Sequence, residues 1–158
     1  MINIRNANES DTNTILQFIK ELAEYEKMSK DVTATEELLK ENLFVKKLAE
    51  VVIAEEDNIP VGFALFFHNF STFLGKGGIY LEDLYVKPNM RNKGIGKILL
   101  KYLANLALER DCGRLEWSCL DWNEPSIAFY KERGAIPMDE WTVYRVTGEN
   151  LIELARKN

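Results

Sequence analysis

A short loop rich in glycine and basic side chains is the stretch of this sequence best suited to binding a ligand. Residues 91–96 read Arg-Asn-Lys-Gly-Ile-Gly. Glycine lets a backbone approach a ligand closely, and the first N–H groups of a helix lack partners within that helix. Such N–H groups bind phosphate-like anions. The glycine loop, defined as residues 91–97, is therefore a candidate anion site.

The charges around the glycine loop favour an anionic ligand. Residues 87–101 contain no acid, although the chain has a net charge of −5. The basic residues there are Lys87, Arg91, Lys93, Lys97 and Lys101. Spacing excludes two common phosphate motifs, because G-x-G-x-x-G needs another glycine after Gly96 and the P-loop needs Ser or Thr after Lys97.

The flanking residues predict that this loop joins a strand to a helix. Residues 80–86 are rich in aromatic and β-branched side chains, and Pro88 cannot continue a central strand. From Ile95 onward, apolar residues recur at helical spacing. The glycine loop should therefore lie between the end of a strand and the start of a helix.

Strand, R-x-x-G-x-G loop and amphipathic helix together resemble the pyrophosphate-binding motif of the GNAT superfamily of N-acetyltransferases, whose ligand is acetyl-coenzyme A. A second stretch, WNEPSIAFYK at residues 122–131, is similar to the spermidine/spermine (diamine) N-acetyltransferases and their thialysine-acetylating relatives. Residues 19–26 (IKELAEYE) and 80–83 (YLED) resemble the same group. The resemblance runs from about residue 4 to residue 151.

This resemblance implies which residues contact acetyl-CoA, which line the acceptor pocket and which acts as the general acid. It implies no metal. The acetyl-CoA contacts fall on Leu84, Tyr85, Val86, Arg91, Asn92, Lys93, Gly94, Ile95, Gly96, Lys97, Asn123, Glu124, Pro125, Ser126 and Tyr130. The acceptor residues fall on Tyr25, Glu26, Glu82, Glu116, Trp117 and Ser118. Tyr130 is the implied general acid. A further acid near the acceptor could be Asp139 or Glu140.

The chemistry of amine acetylation requires an acid and a base of these types. An attacking amine must be neutral, yet aliphatic amines have pKa values of about 10, so a carboxylate must remove a proton directly or through water. Glu82 and Asp83 point to opposite faces by strand alternation, and Glu82 shares a face with Leu84 unless a bulge intervenes. We therefore favour Glu82 as the base. A structural ion pair is the alternative role for Glu82.

Tyr130 could protonate the departing thiolate, and its alternative role is that of a core tyrosine. A backbone N–H near Leu84 or Tyr85 could stabilise the thioester oxyanion if the strand separates from its neighbour. Cys119 is interpreted as a core residue and His68 as a loop or strand-end residue, because neither has a catalytic neighbour in sequence.

The order of elements predicts a mixed α/β (α+β) fold with a mostly antiparallel central sheet flanked by helices. An initial strand and two helices precede a hairpin over residues 50–67, a loop over residues 69–78, and the strand before the glycine loop. Further strands are predicted at residues 114–120 and 141–146. The strand before the glycine loop and the one at residues 114–120 should form a splayed parallel pair. We expect one domain over residues 1–158.

Composition bears on whether the protein has disulfides or a metal site, and on where in the cell it is expected. The chain is 46% hydrophobic and 28% charged, with two cysteines and one histidine, which argues against a disulfide framework or a metal site. No apolar run reaches membrane-spanning length and no signal peptide is visible, so we expect a cytoplasmic protein that binds neither membranes nor nucleic acid. The resemblance implies a homodimer.

These observations leave three hypotheses. The first is direct transfer of an acetyl group from acetyl-CoA to a small polyamine or diamine-like substrate within a ternary complex. The second is acetylation of another amine, such as thialysine, an amino-acid side chain or a protein N-terminus. The third is a non-catalytic module that binds coenzyme A.

Overall fold

The computed structural model describes residues 1–157, which fall into two compact units. The first unit comprises Met1–Leu120, and the second begins at Asp121. The first contains a sheet with helices packed on it, and the second is built from two helices and the segment between them.

A five-stranded mixed sheet forms the centre of the first unit, in the spatial order β1-β2-β3-β4-β5. The strands are β1 Ile2–Asn6, β2 Glu50–Glu56, β3 Ile59–Ser71, β4 Lys76–Val86 and β5 Leu115–Trp117. The first four are antiparallel neighbours, and β4 pairs with β5 in parallel. This arrangement confirms the predicted mixed, mostly antiparallel sheet with a parallel pair.

The loop predicted over residues 69–78 is wrong, because β3 and β4 form a long hairpin in which Asn69 pairs with Gly78. Of the three glycines that suggested a loop, Gly77 and Gly78 lie in β4, and only Gly75 lies in the turn between the two strands. A Cβ added at Gly78 would lie 2.5 Å from the Asn69 side-chain oxygen. Glycine is therefore needed there for close packing rather than for a turn.

Strand β4 contains a β-bulge at Glu82. Leu65 on β3 lies opposite Asp83, and the next residue, Phe66, lies opposite Leu81. Glu82 is therefore an extra residue without a partner on β3, and side-chain alternation restarts at Asp83. Because of this bulge, Asp83 shares a face with Leu65, and Leu81 shares the other face with Phe66.

Helix α1, Thr12–Tyr25, packs on the face of the sheet that carries Asp83. Its buried residues Ile15 and Phe18 join Phe63, Leu65 and Tyr85 in one apolar cluster. Asn8 begins a short 3₁₀ turn, and α1 starts directly after it.

Two further helical segments complete the first unit. Helix α2, Glu36–Leu39, is capped by Thr35 rather than by Thr33, and it continues as a π-helical turn over Lys40–Val45. Helix α3, Ile95–Glu109, packs against β3, β4 and β5 through buried residues such as Leu99 and Leu103. It begins at the residue that the apolar periodicity predicts.

The second unit contains α4, Glu124–Glu132, and α5, Gly148–Arg156. The strand predicted at residues 141–146 is wrong, since the described part of this unit contains no strand. Alternating apolar residues are compatible with a strand, but a strand also needs a neighbour for its backbone hydrogen bonds. Through residue 157, no helix is both long enough and apolar enough to cross a membrane.

Candidate active site

The glycine loop has the geometry of an anion site. Gly94 is the N-cap of α3 and has a φ angle of 78°, a left-handed conformation that side chains disfavour. The carbonyl of Gly94 accepts a bond from the N–H of Ile98 at 3.0 Å, which closes the first turn. The N–H groups of Ile95, Gly96 and Lys97 lie in this turn, where the helix supplies no carbonyl for them.

Gly96 provides a direct test of whether the loop fits a ligand. A Cβ placed on Gly96 would meet no atom of the described residues within 4 Å. Packing therefore does not demand glycine at this position, and the helix would be more stable with alanine there. Open space beside N–H groups that lack partners within the helix suits a phosphate-like anion.

Three of the basic residues around the loop also contact protein groups. The Lys87 ammonium lies 3.8 Å from a carboxylate oxygen of Glu21. The Arg91 guanidinium donates through Nε to the Val86 carbonyl at 3.1 Å and lies over the rings of Tyr25 and Tyr85. The Lys93 ammonium lies 3.7 Å from the Met90 sulfur.

The parallel pair separates beside the glycine loop. Strands β4 and β5 pair only from Ile79 with Leu115 to Leu81 with Trp117. Beyond Leu81, no residue within 1–120 pairs with the β5 side of β4. The second half of β4 therefore has an open edge, as the predicted splay requires.

Backbone direction identifies which groups face this open edge. The Lys87 N–H donates to the Val61 carbonyl on β3 at 2.9 Å. Direction alternates along an antiparallel strand, so the backbone groups of Tyr85 also point toward β3, whereas those of Leu84 and Val86 point away. Leu84 N–H is consequently a better candidate for the oxyanion donor than Tyr85 N–H.

The side chain of Tyr85 packs on the α1 side of the sheet. It is buried, and its hydroxyl donates a hydrogen bond to Glu21 at 2.7 Å. Burial, followed by this bond to a carboxylate, raises the pKa of the Tyr85 phenol. Tyr85 therefore supports the α1 end of the site through its side chain.

Three carboxylates gather where β4 and the end of α1 meet. Burial, followed by the negative charges of Glu82 and Glu26, raises the pKa of Asp83 to about 6. Burial also raises the pKa of Glu26, with Glu82 contributing. These mutual repulsions show that the three carboxylates share one electronegative region, which favours a cationic ligand.

The alternation argument for Glu82 does not hold, because the bulge removes Glu82 from the regular pattern. Glu82 nevertheless lies near Glu26, and its side chain is exposed to solvent. Asp83, half-buried on the α1 face, lies in the same electronegative region, although the sequence argument preferred Glu82 to it. A one-residue register shift leaves no local signal, so only the pairing with β3 identifies Asp83.

Residues from β5 have partners within the first unit. Glu116 accepts from Asn69 at 3.1 Å and forms an ion pair with Arg114 at 3.1 Å. Ser118 shares a 2.6 Å hydrogen bond with the Tyr80 hydroxyl. Trp117 is the last paired residue of β5. These side chains stabilise the point at which β4 and β5 separate.

The remaining predicted residues belong to the second unit. Asn123 is buried and caps α4, its side chain accepting from the Ser126 N–H at 3.4 Å. Glu124 and Pro125 occupy the first turn. Tyr130 lies on α4, with its ring 5.6 Å from that of Phe129 in an edge-on contact. Asp139 and Glu140 are both exposed in the segment after α4.

The histidine and the two cysteines of this chain are the other side chains that could react. His68 lies 3.3 Å from Arg110, which pairs with Glu50. Cys112 and Cys119 form no disulfide within residues 1–157, and the Cys119 thiol donates to the Leu120 carbonyl at 3.6 Å. Across residues 1–157, no group of His, Cys, Asp and Glu side chains is arranged to hold a metal ion.

Comparison with known proteins identifies the family. A family model described as the acetyltransferase (GNAT) family matches residues 14–135. The chain therefore belongs to the GNAT acetyltransferases, and it is an acetyl-CoA-dependent amine N-acetyltransferase. This membership confirms the sequence resemblance.

Individual relatives share most of this chain. A thialysine N-epsilon-acetyltransferase of Bos taurus is 41% identical, covering 98% of this chain and 97% of the relative. A spermidine/spermine N(1)-acetyltransferase-like protein of Homo sapiens is 33% identical, over 96% of this chain and 23% of that protein. An integron cassette protein from the V. cholerae metagenome superposes with a TM-score of 0.83 at 30% identity, covering 99% of this chain and 98% of its own.

Proposed function

We propose that this enzyme acetylates a primary amine of a small polyamine or diamine-like substrate by direct transfer within a ternary complex. The observation that carries this proposal is the cluster of Glu26, Glu82 and Asp83 beside the open edge of β4. Clustered carboxylates favour an acceptor with more than one cationic centre, because one ammonium reacts while another remains charged.

Acetyl-CoA binding is assigned to the glycine loop, the outward backbone groups of Leu84 and Val86, and residues 123–126 with Tyr130. The N–H groups at the start of α3 suit the pyrophosphate. The Leu84 N–H would stabilise negative charge on the thioester oxygen as the amine attacks. No covalent enzyme intermediate is required.

Two side chains carry the proton transfers in this proposal. Glu82 accepts a proton from the attacking ammonium, directly or through water, and releases it to solvent. The neutral nitrogen attacks the thioester carbonyl, the carbon–sulfur bond breaks, and Tyr130 donates its phenolic proton to the departing thiolate. The attacking nitrogen then carries two protons and a positive charge. It gives one proton to the Tyr130 phenolate and keeps the other in the amide, so the products are an amide and free coenzyme A.

The acceptor pocket is assigned to Tyr25, Glu26 and Glu82, with Glu116, Trp117 and Ser118 nearby. Thialysine is a second candidate acceptor, favoured by the 41% identity to a thialysine acetyltransferase over nearly the whole chain. Both candidates present a primary amine to the same carboxylates.

A screen for thiol release with acetyl-CoA and a panel of amines tests this proposal. The panel contains spermidine, spermine, thialysine, lysine, an aminoglycoside and a peptide with a free N-terminus. We expect the largest kcat/KM for spermidine, spermine or thialysine. Preference for the aminoglycoside or the peptide would contradict the proposed acceptor class, and binding of acetyl-CoA without any turnover would contradict catalysis.

We also propose a cytoplasmic homodimer built from one functional domain per chain. Cys112 and Cys119 form no disulfide within residues 1–157, which fits a reducing compartment. The family match at residues 14–135 extends across both compact units, which supports one functional domain. Exposed apolar side chains in the second unit, described in the Discussion, support the dimer.

A further inference from the structure

The side chain of Arg91 extends from the glycine loop toward α1. Its guanidinium carbon lies 4.9 Å from the ring centroid of Tyr25 and 5.9 Å from that of Tyr85. Its Nε donates to the Val86 carbonyl at 3.1 Å. A cation over aromatic rings is attracted to both of them, and the bond to Val86 fixes its direction.

Each partner of Arg91 lies on a different part of the proposed site. Val86 ends β4, at the edge proposed to bind acetyl-CoA. Tyr25 is the last residue of α1 and immediately precedes Glu26. Tyr85 is held to α1 by its hydrogen bond to Glu21. One side chain thus joins the glycine loop, the open strand edge and the end of α1.

We propose that Arg91 is a positioning residue that couples the two substrate sites, holding Tyr25 and Glu26 in place for the amine when acetyl-CoA occupies the glycine loop. This inference rests on the proposed function, which assigns acetyl-CoA to that loop and the amine to Tyr25 and Glu26. It gives Arg91 a role distinct from that of a pyrophosphate ligand, the role that the family resemblance implies.

The two roles depend on different properties of the side chain. A pyrophosphate ligand needs positive charge near the loop, which lysine also supplies. Stacking on Tyr25 needs the flat guanidinium, and the hydrogen bond to Val86 needs its Nε–H. Lysine has neither of these groups. Arg91→Lys therefore separates positioning from anion binding.

Calorimetry and steady-state kinetics on the full chain provide the first test. For Arg91→Lys we expect the Kd for coenzyme A to change by less than about threefold and kcat/KM for thialysine to fall about tenfold, within the usual range of coupling between sites. Arg156→Lys, the same substitution at an exposed position of α5, is the matched control and should change neither quantity. A larger loss in coenzyme A affinity than in kcat/KM for thialysine would overturn the proposal.

A double-mutant cycle tests whether Arg91 acts through Tyr25. Tyr25→Leu should lower kcat/KM for thialysine by a similar factor, and the double variant should be no worse than either single variant. Multiplied losses in the double variant would show independent roles and overturn the coupling.

A spectroscopic measurement covers the case in which thialysine is not turned over. Coenzyme A added to the wild-type protein should shift the NMR resonances of the Tyr25 ring, and this shift should be absent in Arg91→Lys. Binding of coenzyme A that leaves the Tyr25 resonances of the wild-type protein unchanged would overturn the coupling alone. Failure of the wild-type protein to bind coenzyme A would contradict the proposed function itself.

Discussion

Two consecutive carboxylates, Glu82 and Asp83, have different environments in this enzyme. Asp83 is half-buried on the α1 face, whereas Glu82 is exposed as the extra residue of the bulge. Burial disfavours a charged carboxylate, and each neighbouring negative charge adds to that effect. Protonation chemistry at the acceptor site is therefore set by solvation as well as by residue type.

Replacing Tyr130 by phenylalanine tests the general acid. The ring can still make its edge-on contact with Phe129, so the fold of α4 should be unaffected. Loss of the phenolic proton should lower kcat by about 10²- to 10⁴-fold, while the Kd for acetyl-CoA changes little. Near-normal turnover with an unchanged solvent isotope effect would reduce Tyr130 to a packing residue.

Glu82→Gln should change how activity depends on pH. Without this base, the amine must lose its proton to solvent, so activity should survive mainly at high pH, closer to the pKa of the amine. The KM for the amine should also rise, because one of the clustered negative charges is gone. Profiles of kcat/KM between pH 6 and 10 measure the shift, and superimposable profiles would assign the proton transfer elsewhere.

Asp83→Asn should stabilise the protein in a pH-dependent manner. An unfolded aspartate has a pKa of about 3.9, whereas the pKa of Asp83 in the fold is raised to about 6. The folded state thus favours neutral Asp83, and wild-type stability decreases as the pH rises from about 4 to 6. Asparagine avoids this loss because it stays neutral.

The advantage of Asp83→Asn should be near zero at pH 4 and reach about 1 to 3 kcal/mol above pH 6. Urea unfolding of both proteins between pH 4 and 8 gives this difference directly, and groups common to both cancel. An advantage that does not grow with pH would show that the carboxylate is well solvated.

At the scale of elements, the start of α3 keeps glycine where alanine would make a more stable helix. Two glycines occupy its N-terminal end, and one of them, Gly96, has neither a positive φ angle nor a close neighbour that requires it. Glycine within a helix costs about 1 kcal/mol relative to alanine. Such a cost is consistent with a position kept open for a bound group.

Gly96→Val should abolish coenzyme A binding while leaving the protein folded. The added side chain has space in the free protein but would fill the position of the pyrophosphate. Isothermal calorimetry should show that the Kd for coenzyme A rises at least about 100-fold. Ala104→Val, which adds the same side chain to an exposed position of α3, is the control. Equal affinity in the Gly96 variant and the control would exclude the loop as the pyrophosphate site.

Sequence patterns predicted the elements whose signals are local. The periodicity from Ile95 fixed the start of α3, and turn residues around Asp57 located the β2–β3 hairpin. The bulge at Glu82 depends on pairing between β3 and β4, and the direction of the Leu84 N–H depends on the same register. Neither has a signature within one strand, which is why the sequence argument preferred Glu82 to Asp83.

At the scale of the molecule, the second unit carries an unusual amount of exposed apolar surface. Relative exposures reach 79% for Ile136, 72% for Trp141, 80% for Val143 and 90% for Tyr144. Large exposed apolar surfaces on proteins commonly mark interaction sites. Residues 136–146 are therefore the surface that we assign to the dimer contact.

One chain has a mass of 18.2 kDa, and light scattering at micromolar protein concentration should give twice this mass. Replacement of Trp141 and Val143 by serine should shift the equilibrium toward the monomer, because apolar contact area is lost. Exposed Leu108→Ser, in the first unit, is the matched control and should leave the mass unchanged. A monomeric wild-type protein at that concentration would contradict the proposed dimer.

The bulge in β4 also bears on how this site could arise. Since Glu82 has no partner on β3, a deletion of this one residue leaves Asp83 opposite Leu65 and Leu81 opposite Phe66, as they are now. Every other side chain of β4 keeps its face of the sheet. Removing a paired residue elsewhere in β4 would instead turn the side chains on one side of the gap to the wrong face. One inserted codon would thus add this carboxylate to a regular strand without turning any other side chain, and removing it would restore regular pairing between β3 and β4.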